Sequence, residues 1–69
     1  MSYLVNITTM KDGSVPKAIY EYSDTDNGKA AMYQTLASAI ANENVATCMC
    51  LLINAVGATL AYEVYTREA

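Results

Sequence analysis

Between Glu43 and Glu63 the chain carries no charged residue. An apolar run of that length has two ways to fold: one helix crossing a membrane, or two buried strands. Asn54-Ala55-Val56-Gly57 decides between them. Asn at the first and Gly at the last position of four residues suit a tight type I turn. Both flanks are acidic, and no cluster of Lys or Arg stands beside them to orient a span. The run therefore reads as two strands, over 45–53 and 58–65. The first is apolar on both sides, with Met49, Leu51 and Ile53 alternating against Ala46, Cys48, Cys50 and Leu52. Such a strand belongs in the middle of a sheet covered on both faces.

The segment before it supplies the remaining elements. Residues 3–10 form a strand rich in β-branched and aromatic side chains, with Tyr3, Val5, Ile7 and Thr9 on one side and Leu4, Asn6, Thr8 and Met10 on the other. Lys11-Asp12-Gly13-Ser14 is turn chemistry, and Pro16 marks the start of an edge strand. Residues 17–22 alternate Lys17, Ile19 and Glu21 against Ala18, Tyr20 and Tyr22. Ser23-Asp24-Thr25-Asp26-Asn27 is a run of helix-capping residues, and Gly28 weakens the first turn of the helix that follows. That helix runs to about residue 42, with Met32, Tyr33, Leu36, Ala37 and Ile40 on one stripe. It ends at Asn42-Glu43-Asn44, where Asn tolerates the left-handed conformation. Its opposite side, Ala30, Ala31, Gln34, Ser38 and Ala41, has two readings. Alanine is a strong helix former, and small residues also let a neighbour approach closely. Residues 66–69 read as a solvated end.

These elements make one domain over residues 1–69. The expected fold class is α+β: a ββαββ chain with a four-stranded antiparallel sheet in the order 2-1-3-4 and one helix on one face. Ala18, Tyr20 and Tyr22, with Leu60, Tyr62 and Val64, are the natural face for the helix. The other face then carries Ile19, Ala61 and Tyr65 among Lys17, Glu21 and Glu63. The central strand adds to it either Cys48, Cys50 and Leu52 or the alternate set. An apolar centre with a polar rim resembles an interface.

A chain of 69 residues buries only about 60% of its unfolded surface, so its own core contributes about 3–5 kcal/mol net and needs support. Cys48 and Cys50, at i and i+2 on one strand, bridge poorly, and no third Cys exists. With no His, they make half a zinc site at most. Both read as small buried hydrophobes. The remaining support is a second chain, which either covers the open face or pairs at an exposed strand edge. The expected homo-oligomer, with a dimer favoured, joins through Ile19, Cys48, Cys50, Leu52, Ala61 and Tyr65. Tyr3 and Tyr65 are the candidates for partner or ligand contact, because Tyr joins bulk to a polar tip.

The residue types present disfavour several function classes. No His supplies a general base, and the three Gly are isolated, so there is no phosphate loop. Glu21 and Glu63 could share the outer sheet face, but cross-strand charges of this kind are usually solvated. No basic residue neighbours either Cys in sequence to activate it. We expect no enzyme, no catalytic or metal-ligating residue and no cofactor. Net charge is −3, and Lys11, Lys17, Lys29 and Arg67 form no basic patch, which disfavours nucleic acid. Met1-Ser2-Tyr3 lacks the start of a signal peptide, and unpaired thiols suit a reducing compartment. The expected location is the cytoplasm, that of a host cell if the gene is phage-borne, with no membrane partner.

Tyr3-Leu4-Val5, Ala18-Ile19-Tyr20-Glu21-Tyr22, Thr35-Leu36-Ala37-Ser38-Ala39-Ile40-Ala41-Asn42 and Leu52-Ile53-Asn54-Ala55-Val56-Gly57-Ala58 carry a resemblance over nearly the whole chain. The sequence resembles small uncharacterised ββαββ proteins encoded by bacteriophages and prophages of Gram-positive gut bacteria. It departs from them at Asp24-Thr25-Asp26-Asn27-Gly28-Lys29, which favours a helix start less than that group does. The resemblance carries over no functional residues. It implies a phage context, in which such proteins serve as accessory factors or inhibitors of host defence acting on a host protein. Two other expectations stand beside this one: an oligomer that sequesters a small ligand such as a signalling nucleotide, and a structural virion or assembly component.

Overall fold

The computed structural model describes residues 1–67. It contains β1 (Ser2–Met10), β2 (Lys17–Tyr22), α1 (Thr25–Ala41), β3 (Val45–Asn54) and β4 (Thr59–Thr66). The strands form one antiparallel sheet in the order β2-β1-β3-β4, with α1 against one face, so the fold is the expected ββαββ form of α+β. The charge-free run is β3, a turn and β4. No helix among the described residues is long and apolar enough to cross a membrane.

Local chemistry sets each connection. Between β1 and β2, the Asp12 carboxylate accepts from the Ser14 N–H at 2.9 Å and from its hydroxyl at 2.6 Å. Those bonds hold the Asp12 carboxyl below the usual carboxylate range. Between β3 and β4, the Asn54 side-chain oxygen accepts from the N–H groups of Val56 and Ala58 at 3.1 and 2.9 Å. Gly57 completes that turn at φ +87°, in the region glycine enters without steric penalty. Helix α1 starts at Asp24, whose carboxylate accepts from the Asn27 N–H at 2.7 Å.

The far end of α1 differs from the sequence reading. Asn42 is extended, at φ −96°, not left-handed. The last carbonyls are instead held by Arg67. Its Nη2 donates to the carbonyls of Ala39, Ile40 and Asn42 at 3.2, 2.8 and 3.0 Å, and its Nε donates to Val45 at 2.9 Å. A cation at a helix C-terminus both satisfies orphan carbonyls and opposes the negative end of the dipole. Arg67 is thus a clamp between β4 and α1 rather than part of a solvated end. Thr66, also expected in that end, closes β4 opposite Thr47, and residues 68–69 lie outside the described residues.

The buried stripe of α1 is also rotated from the expected one. Gly28, Met32 and Ala39 are buried, with Ala31 and Leu36 packed beside them, while Tyr33 and Ile40 are more than half exposed. Close approach explains the rotation. A Cβ built on Gly28 would stand 2.5 Å from Ser2 Oγ and 2.7 Å from a Leu52 methyl, so any larger residue there must displace buried side chains. The buried Ser2 hydroxyl in turn donates to the Asp24 carbonyl at 2.8 Å, tying β1 to the helix start. Small residues thus serve close packing at Gly28, Ala31 and Ala39, while Ala30, Gln34, Ser38 and Ala41 are exposed.

Candidate functional site

Register assigns every strand residue to a face. On the helix side Leu4 pairs with Leu52, Asn6 with Cys50 and Thr8 with Cys48. Leu4, Met32, Cys48, Cys50 and Leu52 are wholly buried there. Across β3 and β4, Cys48 pairs with Tyr65, Cys50 with Glu63 and Leu52 with Ala61. Cys48, Cys50, Leu52, Ala61 and Tyr65 therefore lie beneath α1, not on an open face. Of the six residues expected at an oligomer interface, only Ile19 is on the uncovered side.

A β-bulge causes the reversal. The pairing steps from Leu52–Ala61 to Ile53–Thr59, so Leu60 is an extra residue in β4. Leu60 and Ala61 both pack against the core. Alternation counted from Leu60 puts Tyr62 and Val64 inward, but the bulge turns every later residue to the other face. Tyr62 and Val64 are 55% and 48% exposed on the uncovered side. Glu63 faces the helix side and Glu21 the open side, so the two carboxylates do not share a face.

The open side is an ordered grid. Its middle row is Ile19–Val5–Leu51–Tyr62, one residue from each strand. The row on one flank is Lys17–Ile7–Met49–Val64, and on the other Glu21–Tyr3–Ile53–Thr59. Thr9 and Thr47 pair at the end. The centre is apolar throughout, and both charges sit on the β2 edge. Ile19 is 70% exposed, the most exposed apolar side chain of the grid. A depression of about 430 Å³ beside it is lined by Val5, Ile7, Lys17, Ala18 and Ile19.

Tyr3 is on this face, as a partner contact requires. Tyr65 is on the other, half-buried beneath the Arg67 guanidinium at 5.4 Å from ring centre to Cζ. The two tyrosines therefore do not form one surface. A groove of about 380 Å³ lies between β2 and α1, lined by Tyr20, Tyr22, Ala31, Gln34, Thr35 and Ser38. Its lining has no cation to meet a phosphate.

The two thiols form a polar cluster with Asn6 and Thr8 on the helix side of the sheet. Asn6 Nδ2 donates to the Met49 carbonyl at 3.2 Å and to Cys48 and Cys50 Sγ at 3.4 and 3.5 Å. Thr8 Oγ1 donates to Asn6 Oδ1 at 3.1 Å. Burial, and then the neighbouring Cys48, push the Cys50 thiol up to about 11, against a moderating bond from Asn6. A thiol held protonated in this way is a poor nucleophile at neutral pH. Among the described residues, no three His, Cys, Asp or Glu side chains gather to hold a metal ion.

Comparison with known proteins gives no matching family, no matching curated relative and no matching solved structure. The fold and this face define the chain's class: a ββαββ protein with one sheet face covered by its own helix and the other uncovered.

Proposed function

We propose that this protein is a non-enzymatic, homo-oligomeric binding protein of phage or prophage origin, and that a second copy covers its open sheet face. The observation that carries this reading is the apolar grid. Three rows across four strands are apolar except at Lys17, Glu21 and Thr59. Monomers rarely leave so large a contiguous apolar patch in water. Three spacings of ~4.8 Å and four rises of ~3.3 Å make a grid roughly 14 by 13 Å between backbones, and roughly 20 Å on a side with its fringing side chains. Stacked on its own copy, such a face buries roughly 800 Å² of flat area in total and more as side chains interdigitate, close to the ~1,000 Å² of a small specific interface. Sheets stack through interdigitating side chains in this way in β-sandwiches. The phage assignment rests on the sequence resemblance. The non-enzymatic assignment is supported by the thiols held beneath α1 and by the separation of Glu21 from Glu63.

Light scattering coupled to gel filtration tests the reading. The expected mass exceeds that of one chain, and Leu51→Glu, at the centre of the grid, lowers it while leaving the circular dichroism of the fold intact. A single-chain mass for the unaltered protein, or no change in mass with Leu51→Glu, would overturn it.

A further inference from the structure

We infer that β2 is a second self-association element, pairing antiparallel with β2 of another copy across a two-fold axis at Ile19. The bonds run through the outward backbone edge of β2, whose Lys17, Ile19 and Glu21 side chains border the stacked face, so the inference adds a second contact to that reading. The first ground is backbone direction. Thr8 N–H donates to the Pro16 carbonyl at 3.0 Å, and the same register pairs Asn6 with Ala18 and Leu4 with Tyr20. In an antiparallel ladder, hydrogen-bonded pairs alternate with non-bonded ones. The N–H and C=O groups of Ala18, Tyr20 and Tyr22 therefore point into the sheet. Those of Lys17, Ile19 and Glu21 point out at the free edge, and none of these three is a proline. Pro16 falls in the inward set, so its missing N–H removes nothing from that edge.

The second ground is charge. Lys17 and Glu21 sit symmetrically about Ile19, on the same side of the strand. They are roughly 13 Å apart along it, too far to pair with each other. Their partners on β1 are Ile7 and Tyr3, neither of them charged. An antiparallel copy centred on Ile19 sets Lys17 opposite the partner's Glu21 and Glu21 opposite the partner's Lys17, with the two Ile19 side chains between. All three pairs then fall on outward-pointing backbone, where strands exchange both bonds. A shift by two residues in either direction keeps the backbone bonds but loses both charge pairs. The other edge, β4, has no such symmetry. Its one charge is Glu63, and Arg67 beyond it is engaged with the end of α1. Helix α1 packs chiefly over β3 and β1, and β2 pairs with β1 alone, as an edge strand. An exposed edge strand with free backbone groups is a template for such pairing.

Edge pairing and face stacking together give an assembly of four copies, and mass resolves them. With the face broken by Leu51→Glu, the expected species is a dimer held by β2 alone. Adding Lys17→Glu, which sets like charges opposite each other twice, weakens that dimer by about tenfold or more. The exchange Lys17→Glu with Glu21→Lys restores it, because opposite charges again meet. Hydrogen exchange gives an independent readout: the Ile19 N–H is protected in the Leu51→Glu protein and loses protection when Lys17→Glu is added. A monomeric Leu51→Glu protein, or charge exchange that fails to restore the dimer, would overturn the edge pairing. A mass insensitive to Leu51→Glu but sensitive to Lys17→Glu would instead overturn the stacked face and leave the edge standing.

Discussion

Replacing Gly28 with alanine sets two effects of opposite sign against each other. By helix propensity alone the change stabilises, by about 0.8–1 kcal/mol in a helix interior and less in a first turn. The structure opposes it. The new methyl would stand 2.5 Å from Ser2 Oγ and 2.7 Å from a Leu52 methyl, and both of those residues are fully buried. Overpacking of this kind costs about 1–3 kcal/mol. Moving Ser2 aside also weakens its bond to the Asp24 carbonyl, worth about 0.5–1.5 kcal/mol. The clash therefore wins, and Gly28→Ala destabilises by about 1–3 kcal/mol. Urea unfolding followed by circular dichroism, at matched chain concentration, measures it. The corresponding fall in Tm is about 4–8 °C per kcal/mol for a domain of this size. A Gly28→Ala protein as stable as the original, or more so, would refute the close approach of α1 to the sheet.

Arg67→Ala removes the guanidinium that bonds Ala39, Ile40, Asn42 and Val45, and should destabilise by about 1–3 kcal/mol in the same assay, with Arg67→Lys recovering only part. Cys50 makes stability depend on pH in a stated direction. Its folded value of about 11 lies above the ordinary value of 9.0, so its contribution is complete below pH 9 and is lost as pH rises toward 11. Chemical denaturation between pH 8 and about 11 should show that decline, and Cys50→Ala should flatten it. The mass changes for Leu51→Glu and for the Lys17 and Glu21 exchange complete the set.

Period-2 patterns place all four strands in the sequence, and the capping run at Asp24 places the helix start. The strand order follows from putting the two-sided apolar β3 in the middle. What alternation could not supply was its phase beyond an inserted residue. Leu60 reads as the first inward residue of a regular strand, and only the pairing shift beside Leu52 reveals it as a bulge. That one residue moved Tyr62 and Val64 to the open face and Ala61 and Tyr65 beneath the helix. Val5 and Ile7 were visible as alternating members of β1, and Met49, Leu51 and Ile53 as the alternate set of β3 that the sequence leaves open for this face. Their shared face was not, because β3 is apolar on both sides and so gives no sign of which side is up. The helix stripe was misplaced for a related reason. Hydrophobicity favours Tyr33 and Ile40 as inward residues, whereas the contact is set by Gly28 and Ala39, which apolar periodicity barely registers. Arg67 gave no local signal, since its partners lie more than twenty residues away in sequence.

On the proposed reading, the sheet's bare side is occupied by another copy of this chain. Its most direct test is the absolute mass of the unaltered protein by light scattering across a concentration series, set beside Leu51→Glu. An assembly of four chains is expected, falling to two with the substitution. A mass of one chain at every concentration, with both proteins folded, would contradict it.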